Sequence, residues 1–205
     1  GGYNYTQDLH PIVLLGILCA LVSMIFCKTL HESGHLFRKY IPNAYLRVVV
    51  GSAIIIVLTA ILRTTAYSGA GVNLIEEAFL GESPMMGFFW KIVFTAITLG
   101  VGFKGGEIVP SFCIGATFGC LFGTLVGLSP SLCAAVGMVA VFCGVTNSPI
   151  TSLIIGFEMF GFDSMRFLLI GVAISYMLSG YTGLYSEQTI MYSKFNTQMI
   201  DRKTS

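Results

Sequence analysis

Two short stretches of this 205-residue chain carry residues whose types and spacing could do chemistry. The first is Gly102-Phe103-Lys104-Gly105-Gly106-Glu107-Ile108-Val109-Pro110. Gly105 and Gly106 allow a tight turn and a close approach of backbone to a ligand. Pro110 fits the first turn of a helix, where its missing N–H costs nothing. The amides near Glu107 and Ile108 then have no acceptor within the helix, and the positive end of the helix dipole favours an anion in front of them. At membrane depth such a helix end holds a small anion without a full counter-charge. The second stretch is His31-Glu32-Ser33-Gly34-His35, an H-E-x-x-H pattern. On a helix its two histidines share a face and could bind zinc, with Glu32 as general base. That chemistry needs a third ligand. His10 is the only other histidine, and Asp163 lacks the Asp-Gly setting of such proteases. An intramembrane zinc protease is therefore the minor alternative, a polar helix end the simpler reading, and no metal site is assigned.

The elements that must position these residues are apolar. The chain is 55% hydrophobic and 10% charged, with a mean hydropathy of +0.82, whereas soluble domains carry about 25% charged residues. From Ile108 to Phe157 there is no Lys, Arg, Asp or Glu. A net charge of +1 offers no basic field for nucleic acid. Cys19, Cys27, Cys113, Cys120, Cys133 and Cys143 all lie in or beside apolar segments without a C-x-x-C pair; they read as small buried hydrophobes. The opening Gly1-Gly2-Tyr3, without Met, reads as that of a processed or cut chain with no visible signal peptide.

Apolar segments run over Ile12–Cys27, Val48–Leu62, Phe88–Val101, Ile108–Leu128, Leu132–Val145, Pro149–Phe160 and Phe167–Ser179. Several fall short of the roughly 20 residues of a straight span, and Gly127-Leu128-Ser129-Pro130, Asn147-Ser148-Pro149 and Gly180-Tyr181-Thr182-Gly183 interrupt them. Backbone broken at membrane depth survives only inside protein or along a wet cavity. The expected fold is an all-α polytopic membrane protein of tilted, broken and re-entrant helices. Gly115, Gly119, Gly123 and Gly127 recur at i,i+4 and clear one helix face for close packing. Lys28, Arg38, Lys39 and Arg47 in a first loop, and Lys194, Arg202 and Lys203 in the tail, read as cytoplasmic. Glu76, Glu77 and Glu82 read as an outside loop. Glu158, the other intramembrane acid, is expected to make a structural hydrogen bond.

Gly105-Gly106-Glu107-Ile108-Val109-Pro110 followed by Ser111-Phe112-Cys113-Ile114-Gly115-Ala116-Thr117-Phe118-Gly119 resembles the G-x-F-x-P selectivity stretch, and the helix it opens, of the CLC family of chloride channels and transporters. Gly137-Met138-Val139-Ala140, Thr146-Asn147-Ser148-Pro149-Ile150-Thr151 and Phe157-Glu158-Met159 resemble the next two helices. Gly183-Leu184-Tyr185-Ser186 resembles the start of the last helix. Tyr67 to Ile75 resembles a Gly-rich loop between two earlier helices. The motifs fall in family order over nearly the whole chain.

This resemblance implies that residues 1–205 are the C-terminal half of a CLC-type transmembrane domain, the second of two inverted repeats, with no cytoplasmic nucleotide-binding tail domain. It implies a non-enzymatic anion channel or chloride/proton antiporter in the cell membrane. The missing N-terminal half, membrane lipid and a second copy in a homodimer would be its partners. No cofactor is expected, chloride or another small anion being the bound substrate. The amides of Glu107 and Ile108 and the Tyr185 hydroxyl would hold the anion, on a turn built by Gly105, Gly106, Val109 and Pro110. Dipoles alone bind weakly enough for the ion to leave. Two positions depart from the family pattern. Glu107 replaces an apolar residue and Ile108 an aromatic. A glutamate here resembles the fluoride-exporting branch, while Val109 stands where that branch tends to have threonine. The acid must point away, pair with Lys104 or Arg63, or carry a proton.

Overall fold

The computed structural model describes residues 9–185, 188–194 and 199–204. Along them run α1 (Leu9–Tyr40), α2 (Ala44–Leu62), α3 (Val72–Leu80), α4 (Gly87–Gly100), α5 (Ile108–Val126), α6 (Pro130–Thr146), α7 (Pro149–Phe160) and α8 (Met165–Leu178). The strands β1 (Thr189–Tyr192) and β2 (Met199–Lys203) come last. The expected interruptions are helix boundaries: Gly127 and Asn147 end α5 and α6 in the left-handed conformation, at φ 77° and 55°. At 14, 17, 12 and 14 residues, α4, α6, α7 and α8 are each shorter than a straight span.

At the centre lies α6, buried at every position from Leu132 to Thr146. A helix that is apolar on all sides has to be enclosed by others. The antiparallel helix α5 crosses it closely: Gly115 faces the backbone of Gly137, Gly119 that of Cys133, and Gly123 that of Pro130. Gly127, expected to continue this stripe, has open space around it and serves as the α5 cap. On another flank α8 meets α6, with Gly171 against Val136 and the Ser175 hydroxyl donating to Ala140 O at 2.7 Å. Next to α8, α1 packs with Gly16 against Gly171 and Ile174. All six cysteines are buried.

Two expectations about loops need correction. Lys28 to Tyr40 is not a loop but the last 13 residues of α1, which runs for 32 residues, or about 48 Å. Nothing in that stretch breaks a helix, and Arg38 and Lys39 suit its negative end. It stops before Pro42, because a residue preceding proline avoids the α region. Asn43 then caps α2, its side chain accepting from the amides of Tyr45 and Leu46. Glu76 and Glu77 likewise lie on a helix, α3, with Glu82 just beyond it. A Cβ added to Gly81, after α3, would lie 3.6 Å from Pro130 at the start of α6. The tail meets α6 at its other end. Glu158 is exposed on α7 and, among the described residues, makes none of the hydrogen bonds expected of it.

Past α8 the chain forms an antiparallel ribbon, Thr189 pairing with Lys203 and Ile190 with Arg202. Lys194 leaves it to cover two helix C-termini. Its ammonium donates to Asn147 Oδ1 at 2.6 Å and Tyr176 O at 2.8 Å, and lies 4.2 Å from the Tyr176 ring centre. Burial pushes this ammonium down to about 8 from its ordinary 10.5. Below that lower value it is protonated folded and unfolded alike, and its burial cost is fully present. Between about 8 and 10.5 the folded state releases the proton first, so stability rises with pH. The thermal midpoint of the wild type, taken relative to Lys194→Met, is expected to climb across that window. A difference that stays flat would contradict the burial.

Candidate anion site

Helix α4 ends at Gly100, and Arg47 Nε, from the first turn of α2, fixes the exit by donating to Val101 O at 3.0 Å. Gly102 turns the chain at φ 106°. Residues 103–106 are irregular, and α5 begins at Ile108 with Glu107 in the capping position. The Glu107 side chain caps nothing. The ladder of α5 opens with the Ser111 amide donating to Glu107 O at 3.2 Å. Among the described residues, the amides of Glu107, Ile108 and Val109 find no acceptor.

The second wall comes from the far end of the chain. The Leu184 amide donates to Val145 O at 2.9 Å, and Asn147 Nδ2 to Thr182 O at 2.8 Å, tying this segment to the end of α6. Tyr185 O accepts from the Gln188 amide and from the Thr204 hydroxyl. The Tyr185 backbone is thus fixed from both sides, while its side chain stays 44% exposed. The two walls border an open cavity of about 750 Å³ lined by Gly105, Gly106, Glu107, Ile108, Val109, Leu184 and Tyr185. Every residue expected at the site lines this cavity except Pro110, which is buried behind the turn. Ser186 lies outside the described residues. Instead of the helix that the resemblance implied after Tyr185, the chain forms strand β1, whose Thr189-Ile190-Met191-Tyr192 suits extended backbone.

A second cavity of about 460 Å³ lies on the other face of the same turn. Gly105, Gly106 and Val109 line both, so the turn is a partition between two chambers. Lys104 and Pro110 face this second chamber, together with Tyr67, Ser68, Gly69 and Ala70 of the Gly-rich loop. That loop is held by a residue hidden within an apolar segment of the sequence. Lys91, 1% exposed on α4, donates from Nζ to Gly69 O at 2.6 Å and to Tyr67 O at 3.2 Å. The signal was present: Lys91 is the one charge between Pro84 and Val101, and lone charges in membrane helices are costly unless used.

Glu107 is not paired with Lys104 or Arg63. His31 Nε2 lies 3.4 Å from Leu184 O, in the wall that faces Glu107 across the cavity. The H-E-x-x-H helix face thus turns one histidine towards the cavity wall. Among the described residues, no three His, Cys, Asp or Glu side chains gather to hold a metal.

The model of the voltage gated chloride channel family matches residues 3–180. A "Chloride/fluoride channel protein" of Pseudomonas syringae pv. tomato is 35% identical over 191 residues, 89% of this chain and 42% of that protein. An "H(+)/Cl(-) exchange transporter ClcA" of Vibrio parahaemolyticus is 26% identical over 166 residues, 75% of this chain and 36% of its relative. Among solved structures, a "CLC-type fluoride/proton antiporter" superposes with a TM-score of 0.81 at 31% identity, over 85% of this chain and 44% of the other. A eukaryotic CLC transporter shares the fold with a TM-score of 0.62. The chain spans under half the length of these curated relatives. The motif order, the broken helices and the turn between two chambers all agree with these matches, and the chain is a multi-pass membrane protein belonging to the voltage gated chloride channel family.

Proposed function

We propose that this chain is the second half of a CLC-type membrane domain and carries the anion-selective turn of an anion channel or proton-coupled antiporter. The observation that carries this reading is the meeting of unpaired α5 amides and Tyr185 in one cavity, with a second chamber behind the turn. A dehydrated anion crossing from one chamber to the other meets N–H and O–H dipoles in place of water. The pathway is completed by an inverted first half packed against the exposed faces of the turn and of α2, and the working unit is a homodimer.

Chloride is the first candidate. Fluoride is a second reading favoured by one observation, a carboxylate at the site: Glu107 lines the anion cavity, and the Pseudomonas relative and the fluoride/proton antiporter both bear fluoride in their names. The test is efflux from proteoliposomes holding the complete protein, followed with chloride and fluoride electrodes and a pH electrode. Anion efflux with a fixed proton count marks an antiporter, and efflux without proton movement a channel. Absence of both anion fluxes would refute the transport reading.

A further inference from the structure

An ammonium inside an apolar helix is costly, and one that is kept there is a functional suspect. Lys91 is 1% exposed on α4 and lines neither chamber. Both of its partners are carbonyls, Gly69 O at 2.6 Å and Tyr67 O at 3.2 Å, and among the described residues no carboxylate pairs with it. Tyr67, Ser68, Gly69 and Ala70 form one wall of the second chamber. The ammonium therefore stands behind that wall, and it draws two of the loop's carbonyl oxygens out of the chamber and into the protein.

Attachment of the loop does not require this charge. The Tyr67 and Phe94 rings meet with their centroids 5.9 Å apart, in an apolar cluster that also holds Leu74 and Cys113. Gly71, at φ 82°, makes room for the ammonium: a Cβ there would lie 3.0 Å from Lys91 Nζ and from Cys113 Sγ. What the ammonium adds is the direction of the carbonyls. Carbonyl oxygens facing a pore select cations, and donors select anions. Without Lys91, the water available to Tyr67 O and Gly69 O is that of the chamber their residues line. Gly69 and Ala70, whose amides find no acceptor among the described residues, belong to the same wall.

Resting on the transport reading, we propose that Lys91 is a positioning residue for the second chamber. By holding the Tyr67 and Gly69 carbonyls on the protein side of the loop, it keeps that chamber favourable to anions on their way to or from the filter turn. The turn is within reach of both chambers, because Gly105, Gly106 and Val109 line each of them. Lys91 touches no anion and acts through the loop. Lys104 lines the same chamber and is left in place in the test, so its contribution is constant.

The test uses Ser68→Cys, at an exposed residue of the wall, in the complete protein in detergent. The thiol is modified with methanethiosulfonates carrying a sulfonate or a trimethylammonium group, each rate divided by that of the same reagent with a free thiol in solution. Protein without the Ser68→Cys change corrects for other thiols. With Lys91 intact the anionic reagent is expected to lead. In Lys91→Met the anionic-to-cationic ratio is expected to fall about tenfold, the low end of what a focused field does to local ion concentration. Lys91→Gln, uncharged and one atom shorter, is read in the same way should Lys91→Met not be monodisperse. A loop merely propped up by Lys91 would change both rates together. An unchanged ratio, or equal changes in both rates, overturns the proposal, as does a cationic lead with Lys91 intact. Anion efflux from proteoliposomes of the unmodified protein is measured alongside. Absence of efflux marks failure of the transport reading, and the ratio judges Lys91 with or without it.

Discussion

Replacing Gly119 by valine is expected to leave no folded protein. A Cβ at this position would overlap the carbonyl oxygen of Cys133 and crowd Ala134 Cα on the facing helix. Both obstacles are backbone, inside the most enclosed helix of the fold, so neither can swing aside as a long side chain could. Overpacking a core that can adjust costs about 1–3 kcal/mol; here α5 and α6 would have to part. At one end of the pair they carry both the filter turn and the tail contacts, so their separation dismantles the site as well. The readout is a monodisperse peak in size-exclusion chromatography of the solubilised protein, which Gly119→Val should abolish. Gly127→Ala is the control. Nothing lies within 4 Å of a Cβ there, and the strain of its φ of 77° costs about 1–2 kcal/mol. That variant should fold with a lowered thermal midpoint. A folded Gly119→Val protein would mean that the two helices are not in backbone contact.

Tyr185→Phe is expected to weaken anion binding by about 10- to 100-fold, the loss of one hydrogen bond to a charged group at about 1.5–3 kcal/mol. The ring is 44% exposed, and the segment is held by its backbone, so removing the hydroxyl oxygen leaves the fold intact. Binding and stability should separate, with affinity falling while the thermal midpoint stays put. A matched fall in both would assign Tyr185 to packing, and unchanged affinity would remove it from the site.

Much of this arrangement was legible in the sequence because membrane helices have a restricted vocabulary. Pro149 to Phe160 is the seventh helix to the residue, and Ile108 starts the fifth where the glycine turn and the uncharged stretch place it. The start of α5 was legible for a related reason: two glycines followed by Pro110 suit a turn that opens a helix. Three features escaped. The end of α1 is polar, and polarity reads as loop unless the absence of a breaker before Pro42 is weighed. The tail ribbon has only a four-residue and a five-residue strand, too short for periodicity to register. Lys91 disappeared into the average of an apolar segment. What sequence order could not give at all is that His31, on the first helix, reaches the segment after the last one. Only the packing of α1 alongside α8 brings them together.

The account stands or falls on whether the amides at the start of α5 hold the anion. The direct measurement is the amide proton resonance of Ile108 and of Glu107, in selectively 15N-labelled complete protein, as chloride or fluoride is added. A saturable downfield shift of both, displaced to higher anion concentration in Tyr185→Phe, is the predicted result. Anion transport that proceeds while neither amide moves would contradict it.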